Sequence, residues 1–85
     1  MSTILYTSEL KTYSGEEKYE LNGVSISETS LPISFQFFKK VGEDFLEFIP
    51  QTAGYTFATQ NFNFTPKENE LINQDKFIMK IVSLN

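Results

Sequence analysis

The chain has 85 residues, with 11 acidic and 7 basic side chains and a formal net charge of −4 at pH 7. It contains no cysteine and no histidine, which excludes disulfide bonds and the usual zinc sites. Every basic residue is a lysine, whereas nucleic-acid surfaces need a dense basic stripe in which arginine is the preferred ligand. These totals predict one small domain, spanning 1–85, that does not bind nucleic acid.

Targeting and membrane segments are not expected. The first ten residues lack both a basic region and the long apolar run of a signal peptide. No apolar stretch approaches the roughly 18 residues that span a bilayer. The tripeptide Asn63-Phe64-Thr65 matches the glycosylation sequon, which we attribute to chance because no secretory signal accompanies it. We expect synthesis in the cytoplasm and no membrane partner.

The residue types favour strands throughout. Phe, Tyr, Ile, Thr and Ser are abundant, and no long segment shows the 3.6-residue periodicity of a helix. At the start of the chain, TILYT (residues 3–7) and ELKTY (residues 9–13) are predicted as the first two strands.

The next predicted element is a hairpin with Asn22-Gly23 at its turn. This dipeptide is the strongest short hairpin signal, because a type I′ turn needs positive φ at both central residues. A turn there pairs Leu21 with Val24. Two positions further out it pairs Tyr19 with Ile26 on the same face. We therefore predict a half-buried hairpin.

A second hairpin is predicted after Pro32. Ile and Phe alternate with Ser and Gln over residues 33–37, the pattern of a strand with one buried face. Residues 41–44 form a turn, and FLEFI (residues 45–49) returns as a strand. The alternative is a short helix with Asp44 as its N-cap. Pro50 would end that helix after about one turn, so the strand is favoured.

Four aromatic rings lie within residues 55–64. Tyr55 and Phe57 occupy odd positions and Phe62 and Phe64 even ones, so one regular strand would put the pairs on opposite faces. A bulge or a reversal within Thr59-Gln60-Asn61 brings all four rings to one side. Stacking on bases or sugars needs exposed rings with cationic neighbours, and no lysine lies between residues 41 and 66. The rings are predicted to be core, with a partner-facing surface as the alternative.

The C-terminal part is predicted to contain turns at 66–69 and 73–76, a short strand at 70–72, and a strand at 77–84. The last strand is apolar at odd and even positions, which indicates burial on both faces. Together the elements predict an all-β fold, a small antiparallel β-sandwich or barrel of about seven to eight short strands.

The predicted strands hold more apolar side chains than a small core accepts. They carry roughly 30, whereas seven strands of five or six residues offer about 18–20 inward positions. The excess lies outward or in turns, either scattered or as a contiguous interface patch. The interface candidates come from the Phe37-Phe38 pair and the C-terminal strand: Phe37, Phe38, Lys39, Ile78, Val82 and Leu84.

Catalysis is not expected. Without His and Cys, the chain lacks the commonest general base and the commonest soft nucleophile. The acidic residues Glu43, Asp44 and Glu47 suit a solvated turn, and the calcium-loop pattern is absent. No Gly-rich phosphate loop occurs, and all four glycines suit turns. We predict no catalytic residue, no cofactor and no metal.

Three functions are compatible with these features. The first is a structural subunit, expected to contact itself or another protein as a homo-oligomer or assembly component. Capsid, spike or tail accessory proteins of bacteriophage virions use such domains, an analogy of fold alone. The second is a small acidic inhibitor or adaptor on a basic protein surface, although its acids are spread along the chain. The third is a carbohydrate-binding β-sandwich module, which the absence of Trp disfavours.

Overall fold

The computed structural model describes residues 3–84, which form eight strands in two antiparallel sheets. The strands are β1 (Thr3–Thr7), β2 (Lys11–Thr12), β3 (Tyr19–Leu21), β4 (Ile33–Val41), β5 (Asp44–Phe48), β6 (Thr52–Thr56), β7 (Asn61–Thr65) and β8 (Lys76–Ser83). A 3-10 turn, Glu28–Ser30, precedes β4. Within the described part of the chain, no helix is long and apolar enough to cross a membrane. The predicted all-β fold of about eight strands, packed as a small sandwich, is confirmed.

The larger sheet has the order β1-β8-β4-β5, with β2 pairing β8 beyond the end of β1, and the smaller sheet has the order β3-β7-β6. β8 is therefore the central strand, with β1 and β2 on one side and β4 on the other. On its inner face, Phe77, Met79 and Ile81 are fully buried. On its outer face Val82 is buried and Ile78 is half-buried. The predicted burial of this strand on both faces is thus largely confirmed.

The core between the sheets is aromatic. The Phe64 ring lies 4.8–6.2 Å, centroid to centroid, from the rings of Tyr19, Phe37, Phe48 and Phe77. Such pairs add to the free energy of folding beyond the area they bury, by about 0.5–1.5 kcal/mol each. The buried cluster consists of Tyr19, Val24, Phe37, Phe62, Phe64, Leu71, Phe77, Met79 and Ile81.

The predicted β4–β5 hairpin is confirmed, and the helical alternative for 44–49 is wrong. Val41 lies opposite Asp44, so the loop has two residues. Gly42 has a φ of +63°, whereas Glu43 is not among the residues with positive φ. This is the pattern of a type II′ turn, which requires glycine at its first central position and matches the twist of the strands. Local turn chemistry therefore determines the register of β5 on β4.

We expect Gly42→Ala and Gly54→Ala to change the free energy of unfolding in opposite directions. Alanine at Gly42 must adopt a left-handed conformation, which costs about 1–2 kcal/mol. Gly54 lies inside β6 rather than at the turn expected for it, its φ is not left-handed, and a Cβ there meets no atom within 4 Å. Alanine at Gly54 should stabilise by up to about 1 kcal/mol, by restricting the unfolded chain. Urea unfolding measures both, and equal signs would contradict the turn assignment.

The aromatic segment 55–64 lies in the β6–β7 hairpin, with β6 ending at Thr56 and β7 beginning at Asn61. Tyr55 lies opposite Phe62, so the reversal brings their rings to the same face. Phe62 and Phe64 are fully buried, and Tyr55 packs against the core. The prediction of core is confirmed for these three rings. It is wrong for Phe57, which lies in the turn with its ring 4.9 Å from that of Tyr55 and outside the core cluster.

The predicted hairpin at Asn22-Gly23 is wrong. β3 pairs with β7, and residues 22–27 contain no strand. Gly23 has a φ of +76°, but Asn22 is not among the residues with positive φ, and a type I′ turn needs both. The chain instead passes beside the β6–β7 turn, where the Val24 N–H donates to the Gln60 carbonyl at 3.0 Å. Pairing with β7 prevails because it stacks the Tyr19 ring on Phe64, at 5.6 Å.

The short strand predicted at 70–72 is also wrong, since residues 68–70 form a turn and no strand follows before β8. Local hydrogen bonds hold this segment: the Ile72 N–H donates to the Asp75 carboxylate at 2.9 Å, and the Asp75 N–H donates to the Ile72 carbonyl at 3.0 Å. Side chain to backbone bonds of this kind compete with strand pairing. Leu71 is nevertheless buried in the core.

Candidate interaction surface

Alternation along β4 separates the two predicted interface phenylalanines. Phe37 lies opposite Met79 and Phe48 on the inner face and is 2% exposed, so its ring belongs to the core and offers no surface to a partner. Lys39 has the same parity and also lies on the inner face, where its Nζ donates to the Glu70 carbonyl oxygen at 3.3 Å. Phe37 and Lys39 therefore do not share a face with Phe38.

Phe38 and Ile78 form a cross-strand pair in the middle of the outer face of the larger sheet, and both are half-buried. The Lys80 ammonium lies 5.1 Å from the centroid of the Phe38 ring. Val82 is on the same face, further along β8, between Ile4 and Ser34. The structure thus brings Phe38 and Ile78 together and places Val82 at the far end of the same face.

Leu84, the last predicted interface residue, follows β8. Its N–H donates to the Pro32 carbonyl at 2.9 Å, and its side chain is exposed. It therefore lies near the end of β4 that is distant from the β4–β5 turn. Whether Phe38, Ile78, Val82 and Leu84 contact a partner stays a prediction.

Exposed apolar side chains gather at the β4–β5 hairpin. Phe45 is 46% exposed, Leu46 56% and Ile49 71%. Phe45 pairs with Lys40 on the outer face, whereas Leu46 pairs with Lys39 on the inner face. Exposure on both faces means that the hairpin extends beyond the smaller sheet. The exposed large apolar residues of the described chain are Ile4, Leu10, Leu31, Val41, Phe45, Leu46, Ile49, Ile72 and Leu84.

β5 also has a free backbone edge, since among residues 3–84 it pairs only with β4. The two-residue turn makes Val41 and Asp44 a hydrogen-bonded pair. Hydrogen-bonded and non-hydrogen-bonded pairs alternate, so Leu46 and Phe48 also direct their N–H and C=O groups to β4. The backbone groups of Phe45 and Glu47 then point away from the sheet.

The hydrogen bonds of β8 support this phase independently. The Ser8 N–H donates to the Met79 carbonyl at 2.8 Å, and the Met79 N–H donates to the Ser8 hydroxyl at 2.9 Å. Met79 thus directs both its backbone groups away from β4. Phe37, which lies opposite Met79, must direct its own groups to Phe48 on β5.

Sugar binding, metal binding and contact with a basic protein surface have less structural support. The three tyrosines other than Tyr19 are half-buried and pack against the core, so none of the four stands out as a flat sugar platform. Among residues 3–84, no three acidic side chains lie close enough together to hold a metal ion. Among the paired residues of β4, β5 and β8, the outer face of the larger sheet carries Lys40, Lys76 and Lys80 but one acid, Glu47, so most acidic side chains lie elsewhere.

Sequence reasoning missed Phe45, Leu46 and Ile49. The available signal was the segment FLEFI, which is apolar at both parities although it borders the acidic turn. Comparison of the chain with family models, curated proteins and solved structures gives no match. The open edge of β5 and the apolar side chains beside it are therefore the basis on which a function can be argued.

Proposed function

We propose that the protein is a non-catalytic structural subunit, joined to a larger assembly through the open edge of β5. The observation that carries this proposal is the combination, on one strand, of free backbone groups at Phe45 and Glu47 with exposed apolar side chains on both faces. β-proteins that stay monomeric protect edge strands with charges, Pro, bulges or covering segments. Asp44 and Glu47 give β5 partial protection, but Phe45 and Leu46 remain exposed.

The chemistry of this edge favours an incoming strand as the ligand. Backbone N–H and C=O groups supply the affinity in strand addition, and alternate side chains supply the specificity. Phe45 on the outer face and Leu46 on the inner face give an incoming strand apolar contacts on both sides of the sheet. A bacteriophage capsid, spike or tail is one assembly that needs such a subunit, and that assignment rests on the analogy of fold.

The mass of the native complex in extract from the natural source tests the proposal. We expect a species larger than the monomer at both about 50 mM and about 500 mM salt, because backbone hydrogen bonds and apolar contacts are screened little by ions. Leu46→Lys should dissociate this complex by placing a charge in the apolar contact. Glu43→Lys, at the adjacent turn, is the matched control and should leave it intact.

Two results would contradict the structural role. A monomer in extract at both salt concentrations would overturn it. The second result is a complex that dissociates in high salt and in Glu43→Lys but stays intact in Leu46→Lys. It would favour the acidic inhibitor or adaptor. In that case the partner is a basic protein surface and the contact is electrostatic.

A further inference from the structure

We infer that the strand that pairs with β5 is β5 of a second copy of this chain, antiparallel and centred on Leu46. The two larger sheets would then form one continuous sheet across a twofold axis. This inference rests on the proposed function and names the partner of the same edge. Three features support it: the charge pattern of β5, the phase of its hydrogen bonds and the position of Lys40 on β4.

Among the registers centred on the three middle residues of β5, the charges select one. A twofold axis perpendicular to the sheet keeps the outer faces on the same side, so only residues of equal parity can lie opposite each other. Centring the pair on Phe45 puts Glu43 opposite Glu47, and centring it on Glu47 puts two Glu47 carboxylates together. Like charges directly opposite destabilise a sheet. Centring on Leu46 instead puts Phe45 opposite Glu47 and Asp44 opposite Phe48, with no like charges facing.

The backbone of β5 fits the same register. The outward groups belong to Phe45 and Glu47, which become a hydrogen-bonded pair that exchanges both N–H···O bonds. By symmetry the exchange occurs twice. Leu46 then faces Leu46 of the second copy in a non-hydrogen-bonded pair, where opposed side chains approach most closely. The most exposed apolar side chain of β5 is thus buried against its symmetry mate.

Charge complementarity adds to this contact. Lys40 pairs with Phe45 on the outer face, and in the dimer Phe45 faces Glu47 of the second copy. Strands lie about 4.8 Å apart, so the backbones of Lys40 and that Glu47 are separated by about 10 Å. A lysine side chain can cover the Phe45 ring with its methylene groups and bring its ammonium to the carboxylate. The twofold axis provides two such pairs.

The contact is small. A five-residue strand spans about 17 Å, so the buried area lies at the low end for specific interfaces. We expect a dissociation constant of roughly 10–100 µM for the isolated dimer. Such a weak contact is useful where many copies are held together and each contributes one interface.

The test uses two charge variants of the full chain, Leu46→Lys and Leu46→Glu. Leu46 is more than half exposed, so neither should impair folding, and thermal melting checks this. Each variant alone puts like charges on the axis, and we expect at least about tenfold weaker self-association than the original chain. An equimolar mixture puts a lysine opposite a glutamate and should restore association. Sedimentation equilibrium measures all four samples.

Each outcome decides the inference. Association that is lost in each variant and returns in the mixture supports pairing of Leu46 with Leu46. Loss in both variants without restoration overturns this register, and association that neither variant weakens overturns β5 as the interface. If the purified chain stays monomeric up to about 1 mM, self-pairing is wrong. If a complex is still found in extract, the proposed function stands and the strand that pairs with β5 belongs to another protein. A monomer in both measurements would overturn both the self-pairing and the proposed function.

Discussion

Replacing Phe37 with alanine is expected to lower the free energy of unfolding by about 3–5 kcal/mol, whereas the same change at Phe38 should lower it by only about 1–1.5 kcal/mol. Phe37 is in the core, with its ring centroid 4.8 Å from that of Phe64 and 6.0 Å from that of Phe62. Its removal leaves a cavity among aromatic rings. Phe38 loses a cross-strand contact with Ile78 and the ammonium of Lys80.

The loss at Phe37 is large relative to the total free energy of unfolding of so small a chain. A chain of this length is stabilised by roughly 4–12 kcal/mol, so Phe37→Ala removes between about a quarter and all of it. Urea unfolding at low protein concentration measures both variants without a contribution from association. Equal destabilisation would contradict the assignment of Phe38 to an outer face that is only half covered.

Local turn chemistry accounts for what could be predicted of the fold. The β4–β5 hairpin followed from alternation and a turn at residues 41–44. The phase slip between Tyr55 and Phe62 predicted a bulge or a reversal, and the structure has the reversal. Both depend on residues close in sequence. Asn22-Gly23 carried the strongest local signal and failed, because β3 gains more by pairing with β7, some 40 residues away. Competition between local and distant pairing cannot be judged from a short segment.

The candidate interface was mostly missed for a related reason. Segments 77–84 and 45–49 are both apolar at odd and even positions, and both therefore indicate burial on two faces. β8 realises this because it is central, with strands on both sides. β5 does not, because it is an edge strand whose inner residue Leu46 extends beyond the smaller sheet. Strand order follows from the whole topology, so the pattern alone does not distinguish a buried strand from one that awaits a partner.

Proline at Glu47 is expected to weaken self-pairing of β5 roughly 30-fold and leave the monomer folded. The Glu47 N–H points away from β4, so its removal breaks no bond within the sheet, and proline is accepted on edge strands in this orientation. In the dimer the same N–H donates to Phe45 of the second copy, and symmetry doubles the loss. Two hydrogen bonds of about 1 kcal/mol each correspond to a dissociation constant raised roughly 30-fold.

Two matched variants make this result specific to the backbone. Glu47→Ala removes the carboxylate but retains the N–H, so we expect it to weaken association much less than Glu47→Pro. Leu46→Pro removes an N–H that is directed to Lys39, and we expect it to destabilise the monomer itself. Sedimentation equilibrium and thermal melting of the three chains separate the effects. If Glu47→Pro unfolds the chain and Leu46→Pro does not, the outward and inward backbone groups of β5 are assigned in the wrong order. If Glu47→Pro and Glu47→Ala weaken association equally, the carboxylate and not strand pairing carries the contact.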